Sequence, residues 1–260
     1  MRLDHQPTFD QPPTKTKKTY IVFSSGRTGS TWLALGLYKL GLGIPMEYFN
    51  ITQRKGFSQR INIPEAFHNE HDLAKYVQEI VSLRTTKNGV FGTSIHMYQW
   101  MTLFETIPGN LRKQARVDWL IRVLQNAFPN PYFIFLYRND LLMQAISMTI
   151  ARQTDAWSSS LDELNEPKYS YTQIKNSLDR VVHAVGLCKY VQSSIHAPQC
   201  TFVYEDLEQN YDQIIRQVVS MLDIPVENTK GLSTQTIKKQ RTSRNELWKE
   251  RFLQEHHKKS

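Results

Sequence analysis

The chain has 260 residues, 40% of them hydrophobic, and its 32 Lys and Arg outnumber 24 Asp and Glu for a formal net charge of +8. That length and apolar content suit one packed domain, while two cysteines, Cys188 and Cys200, are too few for a disulfide framework and lack metal-ligand spacing. With no run of about 18 apolar residues, and a polar, Pro- and Lys-rich segment before residue 20 that has no apolar core of signal-peptide length, a signal peptide and stable membrane insertion are disfavoured, and a reducing, cytoplasmic setting is expected.

Residues 1–18 read as a disordered tail. Tyr20 to Ser24 is then a continuous apolar run, the pattern of a parallel strand buried on both faces, and Trp32 to Leu40 places Leu33, Leu37 and Leu40 on one helical face. Residues 50–72 mix Arg, Lys, Gln, Asn, Pro and His with scattered aromatics and read as an irregular excursion or lid. Leu73 to Arg84 has helical spacing, Val90 to Met97 reads as a strand after the turn Lys87-Asn88-Gly89, and Val117 to Ala127 as a helix stopped by Pro129. The strongest strand, YFIFLY from Tyr132 to Tyr137, runs into Arg138-Asn139-Asp140 and a helix from Leu141 to about Arg152. Tyr171 to Ser193 is helical in spacing, Cys200 to Tyr204 is a short strand, Tyr211 to Leu222 a helix, and residues 254–260 a solvated basic tail. Alternating strands and helices with short connections predict a P-loop-like three-layer α/β/α fold, with a central parallel sheet and ligands at the carboxyl ends of its strands.

Two places in this layout suit anions. Ser24, Ser25, Gly26, Arg27, Thr28, Gly29, Ser30 and Thr31 join the first strand to the first helix, where free backbone N–H groups and the helix dipole favour negative charge. Glycines let the backbone close around a phosphate, Arg27 offers a fork of donors, and Ser30 and Thr31 add hydroxyls. A Walker loop requires G-x-x-x-x-G-K-[ST], whereas here two residues separate Gly26 from Gly29 and no lysine follows. The same knot also fits a Ser/Gly turn that only caps a helix. The second place is Arg138 at the end of its strand, with Asp140 as a helix cap and Ser147 about two turns into the helix. That pair suits a second phosphate, or else is a surface arginine and an ordinary helix serine.

In order along the chain, SSGRTGSTWL, GIPMEYF, NGVFGTSIHMYQ, IFLYRNDLLMQAIS with ARQTDAW, FVYEDL and KQRTSRNELWKERF resemble the Stf0-like sulfotransferases. These enzymes use 3'-phosphoadenosine 5'-phosphosulfate (PAPS), and the resemblance runs from about residue 20 to 252. It implies a single sulfotransferase domain over residues 19–253. Ser25, Gly26, Arg27, Thr28, Gly29, Ser30 and Thr31 would surround the 5'-phosphosulfate, and Arg138 with Ser147 would hold the 3'-phosphate. Glu47 would be the base that takes the acceptor's proton, beside a partly apolar wall of Pro45, Tyr48 and Phe49. Arg27 would steady the leaving phosphate, and no metal is called for. The chain departs from the family at Ser94, where a lysine is expected. His96 lies two residues further on the same strand face and would take over catalysis there, or it is a hydrogen-bonded core histidine. Tyr48, Tyr98, Trp100 and Trp157 are candidate aromatic walls for the acceptor.

The expected activity is transfer of a sulfuryl group from PAPS to a hydroxyl of a carbohydrate or glycolipid. One alternative is an ATP-dependent small-molecule kinase of related fold, against which stand the absent Walker lysine and the lack of an acidic strand end for Mg²⁺. The other is a non-catalytic nucleotide- or nucleic-acid-binding module, which the net charge favours but which lacks an interleaved aromatic and basic repeat. No nucleic-acid partner is expected, and a homodimer is compatible with the sequence.

Overall fold

The computed structural model describes residues 3–104, 113–157, 163–225 and 243–259. Strands β1 (Lys18–Ser24), β2 (Val90–His96), β3 (Pro131–Tyr137) and β4 (Gln199–Val203) form one parallel sheet in the order β2-β1-β3-β4. The helices are α1 (Ser30–Lys39), α2 (Ile51–Ile61), α3 (Glu70–Arg84), α4 (Met97–Met101), α5 (Lys113–Ala127), α6 (Leu141–Thr154), α7 (Tyr171–Ser194), α8 (Tyr204–Gln209), α9 (Tyr211–Leu222) and α10 (Ser243–Lys259).

Both faces of the central strands are covered, which is why those strands read as unbroken apolar runs rather than alternating ones. Tyr20, Val22, Ile134 and Leu136 pack with Leu33 and Leu37 of α1 and with Ile214, Ile215 and Val218 of α9. Ile21, Phe23, Phe133 and Phe135 pack on the opposite face with Leu73 and Ile80 of α3, Leu120 and Leu124 of α5 and Val191 of α7. The three-layer α/β/α architecture expected from the alternation is therefore present. A third cluster joins Met143 and Ile146 of α6 and Ile174 of α7 to Trp248 and Phe252 of α10. The chain leaves β1 for β2 on one side and reaches β3 on the other, so the carboxyl ends of β1 and β3 flank a topological switch point, where open α/β sheets bind ligands. Among the described residues, no helix is long and apolar enough to cross a membrane.

Three segments differ from expectation. Within residues 50–72, read as irregular, the chain forms α2, capped by the Asn50 side chain, which accepts from Thr52 N at 3.1 Å. The buried residues of α2 are Gln53, Phe57 and Ser58, so polar side chains occupy most of its inner face and leave no apolar period to read.

Residues 3–17, read as a disordered tail, instead lie across α2 and α3. His5 N donates to Gln53 Oε1 at 3.0 Å, Gln11 N to Leu83 O at 2.8 Å and Arg84 Nη2 to Gln6 O at 2.9 Å. Gly56 permits the approach, because a Cβ there would lie 2.4 Å from the His5 ring. Asp10 pairs with Arg60 and, at 3.1 Å, with Arg84, which is fully buried and lies 4.8 Å from the centroid of the Phe57 ring.

The basic tail is also structured. His256 and Lys259 belong to the last turns of α10, where Tyr171 Oη lies 3.0 Å from His256 Nδ1 and Lys259 Nζ 4.0 Å from the Tyr171 ring centroid.

Candidate active site

After β1 the backbone turns through Gly26, Arg27 and Gly29 at φ of 85°, 57° and 81°, and α1 begins at Ser30. Left-handed residues in such close succession curl the chain into a concave turn of the kind that binds anions. Arg27 is the costly member, since a side chain disfavours that region and persists there only when its surroundings hold it. Ser147 Oγ on α6 accepts from Arg27 Nε at 3.1 Å and from Nη2 at 3.0 Å, and the Trp157 carbonyl accepts from Nη1 at 2.5 Å. Gly29 is the N-cap of α1 and has no side chain to satisfy the helix's first N–H groups, which suits an anion there. A Cβ at Gly29 would lie 3.0 Å from both Leu207 Cδ2 and Tyr204 Cδ2, so the backbone of the loop rests directly on α8.

Arg138 leaves β3 beside this loop. It is buried, its guanidinium lies 4.5 Å from the centroid of the Tyr204 ring, and its Nε has no hydrogen-bond partner among the described residues. The hydroxyl of buried Thr28 is likewise unpartnered. The turn carrying Arg138 is fixed by Glu205, whose carboxylate accepts from Asn139 N at 3.1 Å and Asp140 N at 3.2 Å. Asp140 in turn caps Met143 N at 2.9 Å and pairs with Lys249 of α10 at 2.6 Å. Burial, and then repulsion from Arg138, pulls the Arg27 guanidinium down to about 10. Burial also lowers Arg138, against the opposing pull of Tyr204, Glu205, Asp140 and Glu208. Two guanidiniums held near enough for one to depress the other are relieved by a ligand carrying two anionic groups.

The second half of the site is built on β2. The segment between α1 and α2 runs alongside that strand, with Met46 bridged to Thr93, Ser94 N donating to Met46 O at 2.9 Å and Ser94 Oγ to Pro45 O at 3.3 Å. This places Glu47 at the carboxyl end of β2. Its Oε2 accepts from Gln99 Nε2 at 2.7 Å and Asn50 Nδ2 at 3.5 Å, and its Oε1 lies 3.6 Å from His96 Nε2. The same His96 nitrogen is 3.2 Å from Ser30 Oγ, so a polar chain links the carboxylate to the start of α1.

The Stf0 sulphotransferase family model matches residues 19–255. The chain belongs to the Stf0 sulphotransferase family. This Stf0 enzyme is 20% identical over 255 residues to trehalose 2-sulfotransferase of Mycolicibacterium smegmatis, an alignment covering 90% of this chain and 93% of that protein. Two solved structures are also similar. One is the sulfotransferase domain from the curacin biosynthetic pathway, with a TM-score of 0.47 and 15% identity, covering 83% of this chain and 77% of that one. The other is the sulfotransferase domain of the Synechococcus PCC 7002 olefin synthase, with a TM-score of 0.46 and 14% identity, covering 85% and 78%.

Several site residues read from the sequence of this Stf0 sulfotransferase lie elsewhere than expected. Ser147, paired with Arg138 in the sequence reading, contacts Arg27. Tyr48 is fully buried, donates to Ile44 O at 2.7 Å and stacks on Phe91, so it lines no acceptor surface. Trp100 is 1% exposed and donates from Nε1 to Leu120 O at 3.0 Å, again as a core residue. The apolar wall expected beside Glu47 is correspondingly core, and polar groups surround the carboxylate. Tyr98 and Trp157 are exposed, and Thr31 faces solvent. Ser94, where the family resemblance suggests a lysine, is buried and spends its hydroxyl on fastening the Glu47 segment.

Sequence reading assigned no role to Gln99, which bonds Glu47, nor to four other residues beside the candidate site. Gln144, fully buried on α6, donates from Nε2 to Ser25 Oγ at 2.9 Å and Gly26 O at 2.5 Å, tying the loop to the helix of Ser147. Tyr204 and Glu205 fall in FVYEDL and Lys249 in KQRTSRNELWKERF, so the quoted motifs held the signal without the roles. Residues 239–242 of the latter lie outside the described residues.

Proposed function

We propose that this enzyme transfers a sulfuryl group from PAPS to a hydroxyl of a carbohydrate or glycolipid, with Glu47 as general base. The observation that carries the reading is the unpartnered Nε of buried Arg138 beside the Arg27 loop. Buried charged donors are normally paired, and the 3'-phosphate and 5'-phosphosulfate of PAPS supply the two anionic groups this pair of guanidiniums suits. The acceptor class draws on the M. smegmatis relative, which by its name acts on trehalose, and on exposed Tyr98 and Trp157 as aromatic faces for a sugar.

PAPS, when bound, supplies the activated sulfuryl group. The loop from Ser25 to Ser30 would hold its 5' end, and Arg27 would steady negative charge on the phosphate there. Arg138 would hold the 3'-phosphate, and the Arg27–Ser147 contact ties α6 to the loop that would hold the 5' end. Glu47 takes the proton of the acceptor hydroxyl. His96, between Glu47 and Ser30, would take on the loop side the task for which the family resemblance suggests a lysine.

The assignment of Arg138 is tested by comparing PAP, the desulfated product, with adenosine 5'-phosphosulfate, which lacks the 3'-phosphate. Arg138→Ala is expected to weaken PAP binding by roughly one to two powers of ten, the cost of about 1.5–3 kcal/mol for a lost charge-assisted pair. Binding of adenosine 5'-phosphosulfate should change little. Equal losses in calorimetry with both ligands would remove Arg138 from this role.

A further inference from the structure

We propose that Gln99 is a positioning residue that assigns the two oxygens of the Glu47 carboxylate, occupying Oε2 and reserving Oε1 for the acceptor's proton. The inference rests on Glu47 being the base and adds to that reading. Gln99 is the third residue of α4, and His96 at the end of β2 is the N-cap. The Gln99 side chain spans the gap between the two: its Oε1 accepts from His96 N at 3.2 Å while its Nε2 donates to Glu47 Oε2 at 2.7 Å. Only this orientation of the amide makes both bonds, because a backbone N–H needs an acceptor and a carboxylate needs a donor.

Asn50, the cap of α2, is oriented in the same manner, with its carbonyl oxygen accepting from Thr52 N at 3.1 Å and its amide 3.5 Å from the same Glu47 Oε2. Oε2 is thereby engaged from two elements, and Oε1 is the oxygen on the His96 side. A hydrogen bond donated to the ionised carboxylate favours the form that can accept a proton. In the transfer, the acceptor O–H proton passes to Oε1 as the acceptor oxygen bonds to sulfur and the sulfur–phosphate oxygen bond breaks, releasing PAP. Among the described residues, the charged and titratable groups facing Glu47 are His96 from β2 and Arg27 from the loop, and neither is on α4, so Gln99 can be changed without removing them.

The test uses Gln99→Glu and Gln99→Met in the full-length enzyme, measuring the pH profile of kcat/KM and PAP affinity. Gln99→Glu sets a second carboxylate against Glu47, and Gln99→Met removes the donor at similar volume. Activity requires ionised Glu47, so loss of a donor to that ionised form moves the acid limb of the profile to higher pH, by about one unit for Gln99→Met and more for Gln99→Glu. At pH values on the displaced limb kcat/KM should fall, by up to about tenfold for a one-unit displacement, recover toward wild type as pH rises past it, and leave PAP affinity within about twofold. A uniform loss at every pH, or PAP affinity falling in step with kcat, would show a purely structural role and overturn the inference. Glu47→Gln, assayed beside them, separates the two readings. If it keeps activity, the base assignment fails; if it loses activity while the acid limb of both Gln99 variants stays in place, only the role of Gln99 fails.

Discussion

Glu47→Gln is expected to lower kcat by roughly 10²–10⁴-fold, the usual contribution of a positioned general base, with PAP affinity within a few-fold of wild type. In barrier terms this is about 3–5.5 kcal/mol. The substitution keeps the shape of the side chain and removes its basicity. The introduced amide can present its oxygen to Gln99 Nε2 and Asn50 Nδ2, so the surrounding hydrogen bonds need not be lost with the charge. The proposed donor site comprises the loop after β1, the turn after β3 and α6, none of which contains Glu47, and this separation is why rate and donor affinity should part company. The acid limb of kcat/KM should disappear in the variant. A panel of sugars and glycolipids offered with PAPS supplies the assay. Transfer at close to the wild-type rate, with chemistry rate-limiting, would make His96 the next candidate for the base.

Asp10→Ala is expected to destabilise the fold by about 3 kcal/mol, the lower end of the range for removing one partner of a buried ion pair. Arg84 has no exposed side-chain surface, and burial lowers its guanidinium, with Tyr48 and Asp10 pulling the other way. Its contact with Asp10 Oδ1 at 3.1 Å lacks hydrogen-bond alignment, and Asp10 is itself 23% exposed, both of which hold the effect below the upper limit. The hydrogen bond to Gln6 O and the Phe57 face remain in the variant but carry no negative charge. Arg60 loses its carboxylate as well. Thermal unfolding should show a drop of roughly 6–12 °C, at about 2–4 °C per kcal/mol for a chain of this size. A change within about 0.5 kcal/mol, as for an ordinary surface substitution, would mean that residues 3–17 do not hold Arg84 in solution.

These two sites differ sharply in how far the sequence discloses them. The loop after β1 is legible because its chemistry is local: Gly26, Gly29, Ser30 and Thr31 are consecutive or nearly so, and the strand before them announces itself by an apolar run buried on both sides. The strap of residues 3–17 has no periodicity to read. It is held by single polar contacts such as His5 to Gln53, 48 residues away, and Arg84 to Gln6, 78 residues away. For the same reason Gln99 and Gln144 are silent in the sequence, since each is a neutral amide whose partner lies 52 or 119 residues earlier. Tyr48 and Trp100 fail in the opposite direction. An aromatic next to a catalytic motif looks the same whether it faces a sugar or the core, and here Ile44 O and Leu120 O take their polar atoms inside. Position 94 combines both problems, because only the path of residues 45–47 along β2 shows that its serine fastens the Glu47 segment.

The central claim, that the two guanidiniums and the loop after β1 form a PAPS site, is tested most directly by calorimetry of the wild-type enzyme with PAP and, separately, with ATP. The account predicts that PAP binds in the low micromolar range or tighter without Mg²⁺ and that ATP does not bind with or without the metal. Mg²⁺-dependent ATP binding with no detectable PAP binding would contradict it.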